Sequence, residues 1–257
     1  MTKKEKIEAQ KMEEMFAEFE GDNEGYEGLT MDVQAIPFIK IIQQLSPQLS
    51  KKKPEYLPEA EEGFIYNSVT NRLYEPPVRF VIGKFERYYI EWKPNRGGFV
   101  DTHLVEEIEG ARAGQLMRDE NYRLIDPNTG NIFSDTYVYY IIFPDHLEDG
   151  VCILSLTSSQ LKEAKKLNRN LTNTVIPGTT KKALPYFMIW NLEVHQVSND
   201  KGDWSAPKFT FDSFVTKQIL LSVSEERKAL PNKRLDLALL SDDAGQSNMS
   251  TDGNTQY

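Results

Sequence analysis

The sequence predicts a mostly β (α+β) protein with a few flanking helices. The chain of 257 residues contains 13 Phe, 12 Tyr and 3 Trp, which is enough aromatic material to fill the core of one domain. From residue 64 onward, apolar and polar residues alternate at a period of two in several segments. Between those segments only one stretch shows a convincing helical period.

The elements are predicted from their local patterns in chain order. Apolar residues at helical spacing predict a charged helix over residues 1–20, and a short helix is expected over 36–46, before Pro47. Strands are predicted at about 64–69, 78–92, 115–125, 131–143, 151–156, 186–198 and 206–212. Two further helices are predicted over 158–171, with Ser158 or Ser159 as N-cap, and over about 213–230.

The arrangement of these elements predicts an architecture. The turn signals DPNTGN at 126–131 and NDKGD at 199–203 predict hairpins. Short antiparallel strands around one intervening helix predict an elaborated OB-like barrel with flanking helices, and a β-sandwich with appended helices is the alternative. We expect an acidic N-terminal arm over 1–30, one barrel domain over 31–231 and a polar disordered tail over 232–257.

Several classes of protein are not expected. No apolar run approaches the roughly 18 residues of a membrane-spanning helix, and the N-terminus lacks the apolar core of a secretory signal, so we expect a cytoplasmic protein. The single cysteine, Cys152, permits no internal disulfide, and the three histidines lie near no second cysteine, which excludes the usual zinc spacings. No cofactor is predicted.

The charge is unevenly distributed along the chain. The net charge of −9 argues against a nucleic-acid-binding protein when taken alone. Residues 1–30, however, carry 4 basic and 9 acidic side chains, whereas residues 31–231 carry 24 basic and 26 acidic ones. Because local charge attracts a phosphate backbone, this near-neutral domain is compatible with a basic groove.

The segment 79–100 combines five basic with six aromatic side chains. Alternation along a strand predicts an apolar face that contains Phe80, Ile82, Tyr88, Ile90 and Trp92. The other face is predicted to mix aromatic and basic groups, and we call it the β4 platform: Phe85, Arg87, Tyr89 and Lys93. Such a face is typical of a surface on which bases stack while cations contact phosphates. The alternative is an ordinary soluble face of an antiparallel sheet.

The helix predicted over 158–171 has a second basic surface. Lys162, Lys165, Lys166 and Arg169 follow the i, i+3, i+4, i+7 spacing and therefore share one side of the helix. This side is either solvated or an extension of a phosphate-binding surface, to which Lys181 and Lys182 would add.

Enzymatic motifs are weak, and we do not expect an enzyme. The sequence has no glycine-rich phosphate loop and no nucleophile elbow. Pro144-Asp145 followed by Glu163-Ala164-Lys165 superficially fits a metal-dependent nuclease, whose carboxylates must converge on one magnesium ion. Because Glu163 and Lys165 fall on a predicted helix beside other lysines, we expect no catalytic residue and no metal ligand here.

The chain resembles a known group of proteins. The order of IPFIKIIQQLSPQLSKKKPEY, GFIYNSVTNRLYEPPVRFV, ERYYIEWKPNRGGFV and WNLEVHQVSNDKGDWSAPKF, over about residues 36–212, is similar to that of tailed-phage single-stranded-DNA-binding proteins with an OB-type core. The resemblance implies sequence-independent binding and protection of single-stranded DNA in phage DNA replication or recombination. It also implies contacts with other phage proteins through the terminal arms, although only three aspartates, Asp242, Asp243 and Asp252, follow residue 240 in the tail.

Taken together, these patterns predict the DNA-binding residues. The aromatic rings expected to stack on bases are Phe85, Tyr88, Tyr89 and Trp92. The cations expected to contact phosphates are Arg87, Lys93, Arg96, Lys162, Lys165 and Arg169. Two alternatives remain: a phage structural or protein-interaction protein that binds no nucleic acid, and a metal-dependent nuclease.

Overall fold

The computed structural model describes residues 11, 35–94, 97–199, 202–228 and 230. The chain divides into two units, Met1–Ala35 and Ile36–Tyr257, and all elements named below lie in the second unit. The helix predicted over 1–20, apart from Lys11, and the tail predicted over 232–257 lie outside the described residues.

Eleven strands form one sheet, which confirms the mostly β class. The strands are β1 Phe38–Ile41, β2 Ile65–Asn67, β3 Leu73–Tyr74, β4 Val78–Trp92, β5 Phe99–Leu104, β6 Met117–Arg118, β7 Leu124–Ile125, β8 Ile132–Ile142, β9 Val151–Thr157, β10 Met188–Asn199 and β11 Gly202–Phe214. Their order is β11-β10-β4-β8-β9-β1-β2-β3, with β5 paired to β4 and with β6 and β7 extending from β8.

Helices are few among the described residues. The α-helices are α1 Leu161–Asn173 and α2 Lys217–Lys228, and a π-helix covers Glu107–Ala111. Short 3-10 helices cover Pro47–Leu49, Leu147–Asp149, Ser158–Gln160 and Pro185–Phe187. No helix among the described residues is long and apolar enough to cross a membrane.

The connectivity follows a simple order. Strands β4, β8 and β9 form an antiparallel meander, α1 follows, β10 returns to pair with β4, and β11 forms a hairpin with β10. β1 is added beside β9, to which it is parallel. The sheet curls into a half-barrel. At its seam the side chain of Gln43, after β1, donates to the carbonyl oxygen of Ser205 in β11 and accepts from the Ser205 amide, both at 2.9 Å.

Both faces of the curled sheet are covered by apolar packing. On the first face, Tyr139 and Ile141 of β8 join a core closed by Ala164, Leu167 and Leu171 of α1. On the second face, Tyr140 and Ile142 join a core that includes Val223 of α2. Because β8 is buried on both sides, it has the near-continuous apolar sequence YVYYII.

A β-bulge at Gly83 reverses the side-chain alternation of β4. Strand β4 pairs with β8 through Ile82 opposite Ile141 and then through Lys84 opposite Tyr140, so Gly83 is the extra residue. A bulge moves every later side chain to the other face. The predicted apolar face is therefore wrong: Phe80 and Ile82 lie on the first face, whereas Tyr88 and Ile90 lie on the second.

Two other segments differ from their predictions. The helix predicted over 36–46 is wrong, because Phe38–Ile41 is a strand whose residue Ile39 pairs with both β2 and β9, and a turn follows. β-Branched residues such as Ile39 and Ile41 favour strands, and tertiary pairing decides the state of so short a segment. The strand predicted over 115–125 is instead two short strands, β6 and β7, joined by a turn. The remaining strands and α1 occur close to their predicted positions.

Candidate functional site

The guanidinium group of Arg87 on the β4 platform is bound by acidic side chains of the protein. Its Nε and Nη2 atoms donate to the two carboxylate oxygens of Asp135 at 2.7 and 3.0 Å. Nη2 also donates to Glu109 at 2.8 Å and to the Tyr89 hydroxyl at 3.2 Å. The hydrogen bonds to Asp135 raise the pKa of Arg87. The carboxylates of Asp135 and Glu109 therefore balance the positive charge of Arg87, which the sequence predicts to contact phosphate.

Two of the tyrosines expected to stack on bases are buried. Tyr89 is 8% exposed, and its hydroxyl donates to Glu109 at 2.8 Å. Tyr88 is 3% exposed on the opposite face, where its hydroxyl donates to Glu86 at 2.7 Å. Neither ring is exposed, because Tyr89 packs with Ile108 and Phe133 and Tyr88 belongs to the core on the second face.

Phe85 is the exposed ring of the β4 platform. Its side chain is 40% exposed and packs against Tyr137 and Tyr139, with ring centroids 5.5 and 5.0 Å apart. The Tyr139 hydroxyl in turn donates to Asn168 Oδ1 of α1 at 2.8 Å. The platform therefore adjoins the helix rather than the end of β4.

The other predicted residues of this segment are dispersed. Trp92 is half-buried on the second face, where it meets Phe99 edge to face with centroids 6.1 Å apart. Lys93 is exposed beyond the end of β4. Arg96 lies outside the described residues.

A groove that the sequence analysis did not anticipate opens between β1 and β9. Its volume is about 260 Å³. β1 pairs with β9 only through Phe38 and Ile39 and then separates from it. The last residues of β9 therefore line a cleft instead of pairing with β1. Two tryptophans, Trp92 and Trp204, line the groove as well.

Hydroxyl groups are the main polar groups of this groove, so we call it the hydroxyl groove. The hydroxyl-bearing residues of β8, β9 and the following turn that line it are Ser134, Thr136, Ser155, Thr157, Ser158 and Ser159. The hydroxyl of Thr136 donates to the carbonyl oxygen of Ser134 at 3.0 Å. Within the described part of the chain, the inaccessible Ser155 Oγ has no hydrogen-bond partner. Buried polar atoms are normally paired, so Ser155 Oγ is an exception among the described residues.

On the β1 side of the hydroxyl groove, one lysine belongs to the lining and three more lie on the adjoining loop. Lys40 of β1 lines it, and Gln48 at its edge belongs to the loop that carries the exposed Lys51, Lys52 and Lys53. The Leu57 amide donates to the Gln48 carbonyl oxygen at 3.0 Å and so anchors this loop beside the groove. A polyanion that enters the groove therefore passes a cationic rim.

The basic residues predicted on α1 are all exposed. Lys162, Lys165 and Arg169, which we call the α1 ridge, have no carboxylate within 4.0 Å among the described residues. Lys166 pairs with Glu163 at 2.5 Å. The N-terminal turn of this helical segment, Ser158–Gln160, lines the hydroxyl groove, so the ridge begins where the groove ends.

The acidic residues of the nuclease alternative have other partners. Asp145 forms a bidentate pair with Arg79, which lowers the pKa of Asp145, and Glu163 pairs with Lys166. Over the described ranges, no group of three or more His, Cys, Asp or Glu side chains is arranged to hold a metal ion. Burial raises the pKa of the Cys152 thiol to about 12.

Some of the missed residues had a signal in the sequence. Ser134 and Thr136 are two apart on the strand predicted over 131–143, which places both on one face, and Ser155 lies on the strand predicted over 151–156. Trp204 follows a predicted hairpin turn directly. What the sequence could not reveal is that β1 separates from β9 and leaves these residues around one cleft.

Comparison with known proteins identifies the family of the chain. A family model matches residues 3–230, which is most of the sequence, and its family consists of bacteriophage proteins. The chain belongs to this family, described as Pam3 phage gp34-like protein. No curated protein and no solved structure matches it.

Proposed function

We propose that this phage protein binds and protects single-stranded DNA without sequence preference, in phage DNA replication or recombination, and that the hydroxyl groove receives the strand. The observation that carries the proposal is the combination of two tryptophans, a row of hydroxyls and a lysine rim around one cleft. Aromatic rings that stack on bases and cations that follow the backbone are the usual means of sequence-independent single-strand binding.

The connectivity supports the same proposal. A three-stranded meander, β4-β8-β9, is followed by a helix and by the hairpin β10-β11, whose first strand pairs with β4. Five-stranded Greek-key barrels of the OB type have this strand order and bind oligonucleotides on the face of their second and third strands, beside the loops between strands 1 and 2 and between strands 4 and 5.

The hydroxyl groove lies at the corresponding place in this chain. Its hydroxyls come from β8, from β9 and from the turn that follows β9; β8 and β9 are the second and third strands of the meander and hairpin. Trp92 ends β4, before the connection to β8 that contains β5, β6 and β7, and Trp204 follows the turn between β10 and β11. The two tryptophans therefore flank the groove at the two loops that an OB-type protein would use.

The proposal is tested with a labelled oligo-dT of about 30 nucleotides and fluorescence anisotropy at two salt concentrations. We expect tight binding that weakens with salt, with a slope of about −0.7 per neutralised phosphate, and that unlabelled duplex does not compete. An unlabelled oligo-U competitor shows whether the protein prefers RNA or DNA. No binding at low salt would reject the proposal and favour a protein partner.

Replacing Trp204 with alanine tests the location of the site. Loss of one stacked base costs about 1–3 kcal/mol, so Trp204→Ala is expected to weaken oligo-dT binding by about 5- to 150-fold. Tyr122→Ala is the control, because Tyr122 is 56% exposed on the β6-β7 turn, outside the lining of the groove. Equal affinity of both variants, with unchanged unfolding midpoints, would place the site elsewhere.

A further inference from the structure

We infer that bound single-stranded DNA leaves the hydroxyl groove over α1, and that the α1 ridge forms a second, phosphate-binding part of the site. This inference rests on the proposed function and specifies the path of the strand. It predicts a protein whose affinity increases with oligonucleotide length beyond what the groove itself holds.

The first argument is continuity. Ser158, Ser159 and Gln160 line the groove and form the helical turn that leads directly into α1. Lys162 follows in the next turn. With a rise of 1.5 Å per residue, Lys162 and Arg169 lie about 10 Å apart along the helix axis. A strand that passes Ser159 therefore meets three successive cations.

The second argument is charge. Residues 158–183 contain six basic side chains and only one acidic side chain, Glu163, within a protein of net charge −9. Glu163 is paired with Lys166, whereas the α1 ridge has no carboxylate partner among the described residues. Lys181 and Lys182 are exposed on the loop that follows α1, where Val175 bridges to Lys182.

The third argument is an aromatic surface on the same side of the helix. Asn168 of α1 is hydrogen-bonded to Tyr139, against which the exposed Phe85 packs. Helical periodicity places Lys165 and Arg169 next to Asn168 and away from the buried stripe of Ala164, Leu167 and Leu171. Phe85 therefore offers an exposed ring on the sheet face that α1 covers, where one base could stack.

The ridge cations differ from Arg87 in having no carboxylate partner among the described residues. Arg87, on the same platform as Phe85, is neutralised by Asp135 and Glu109. The three ridge cations are left without such partners in the described ranges, although 39 acidic residues are present in the chain. Their exposed charges are available to a ligand that carries several negative charges in a row.

The test compares oligo-dT of about 6 and about 30 nucleotides in anisotropy titrations over a series of salt concentrations. The variant Lys162→Ala/Lys165→Ala/Arg169→Ala is expected to bind the long oligonucleotide about tenfold or more weakly at low salt. Its salt slope should fall by about 2, because three phosphate contacts are lost. Binding of the short oligonucleotide is expected to remain within twofold of the wild-type protein.

The control variant removes three cations that are already paired, Arg123→Ala/Lys208→Ala/Lys228→Ala, and so changes the net charge equally. It should leave both titrations near the wild type. A single Phe85→Ala variant is expected to weaken the long oligonucleotide only. Circular dichroism confirms that α1 is retained in each variant.

The outcomes distinguish the two proposals. If the wild-type protein binds both oligonucleotides and the ridge variant binds each with the affinity of the wild type, the α1 path is wrong and the groove proposal stands. If the ridge variant weakens the short and long oligonucleotides by the same factor, the ridge is not an exit path and the inference is likewise overturned. If the wild-type protein binds neither oligonucleotide, the proposed function itself is wrong.

Discussion

Arg87 and Lys165 carry the same formal charge but have different surroundings. The Arg87 guanidinium is held by Asp135, Glu109 and the Tyr89 hydroxyl. Lys165 has no carboxylate within 4.0 Å among the described residues. At the scale of single residues, the type of side chain identifies candidates for phosphate contacts, and only its neighbours in space decide which of them can make those contacts. The sequence alone therefore does not distinguish the exposed cations of α1 from Arg87, whose charge is paired with carboxylates.

Glu86 is the residue whose protonation is most closely linked to packing on the second face. Its carboxylate accepts hydrogen bonds from the Tyr88 and Tyr140 hydroxyls at 2.7 and 2.8 Å and pairs with Lys84 at 2.8 Å. Burial raises the pKa of Glu86, but the bonds from Lys84, Tyr88 and Tyr140 outweigh it, so the pKa is lowered in the folded state. The stabilisation is therefore present above the ordinary glutamate pKa and is lost as the pH falls through the lowered value.

The variant Glu86→Gln measures this linkage. We expect the free energy of unfolding of the wild-type protein to fall between about pH 5 and pH 3, and the fall to be smaller in Glu86→Gln, because one carboxylate no longer titrates. Urea denaturation at several pH values gives the comparison. Glu225→Gln, an exposed residue of α2, is the control and should keep the wild-type slope. If the unfolding free energy depends on pH identically in Glu86→Gln and in the wild-type protein, the proposed linkage of Glu86 to stability is wrong.

At the scale of elements, the bulge at Gly83 determines which face of β4 each side chain occupies. The carbonyl oxygen of Gly83 accepts a hydrogen bond from Arg227 Nε of α2 at 3.3 Å, and the Arg227 guanidinium lies 3.7 Å from the centroid of the Tyr186 ring. A Cβ atom at position 83 would lie 3.3 Å from Arg227 Cγ and 3.4 Å from Leu230 Cδ1. The bulge and the packing of α2 therefore depend on the same small residue.

Replacing Gly83 with valine is expected to destabilise the protein by about 1–3 kcal/mol, because a branched side chain in this tight space must displace Arg227 or Leu230. The urea midpoint measures the effect, and hydrogen exchange of the α2 amides should become faster. Gly114→Val is the matched control, since nothing lies within 4 Å of a Cβ atom at position 114. An unchanged midpoint for Gly83→Val would show that α2 is not held at this position.

These elements also show what the sequence can and cannot predict. The period-two pattern located β4, β8, β9 and β10, and the helical pattern located α1, because each buries a regular apolar face. The predicted alternation of side chains along β4 is wrong after Gly83, since a single glycine in a strand does not reveal whether it forms a bulge. The helix predicted over 36–46 is wrong because Ile39 and its neighbours become a strand only through pairing with β2 and β9, which lie further along the chain.

At the scale of the whole molecule, the half-barrel is joined at one seam by a side chain rather than by a strand ladder. Gln43 makes two hydrogen bonds with the backbone of Ser205, which is 1% exposed. Gln43→Ala removes both bonds and leaves the buried Ser205 amide unpaired, so we expect a loss of about 1–3 kcal/mol of stability. Urea denaturation and the hydrogen-exchange rate of the Ser205 amide measure this effect. The exposed neighbour Gln44→Ala is the control, and equal stabilities of the two variants would contradict the role of the seam.

The seam also determines when the groove comes into existence. Gln43 and Ser205 are separated by 162 residues, and β1 meets β9 across more than a hundred residues of chain. Contacts of such long sequence separation form slowly, because the intervening chain must first be ordered. During synthesis, β1 can pair with the nearby β2 early, but it lacks β9 and the Ser205 contact until most of the polypeptide has been made. The groove is a property of the completed fold, and a fragment that ends before β11 would lack one of its walls.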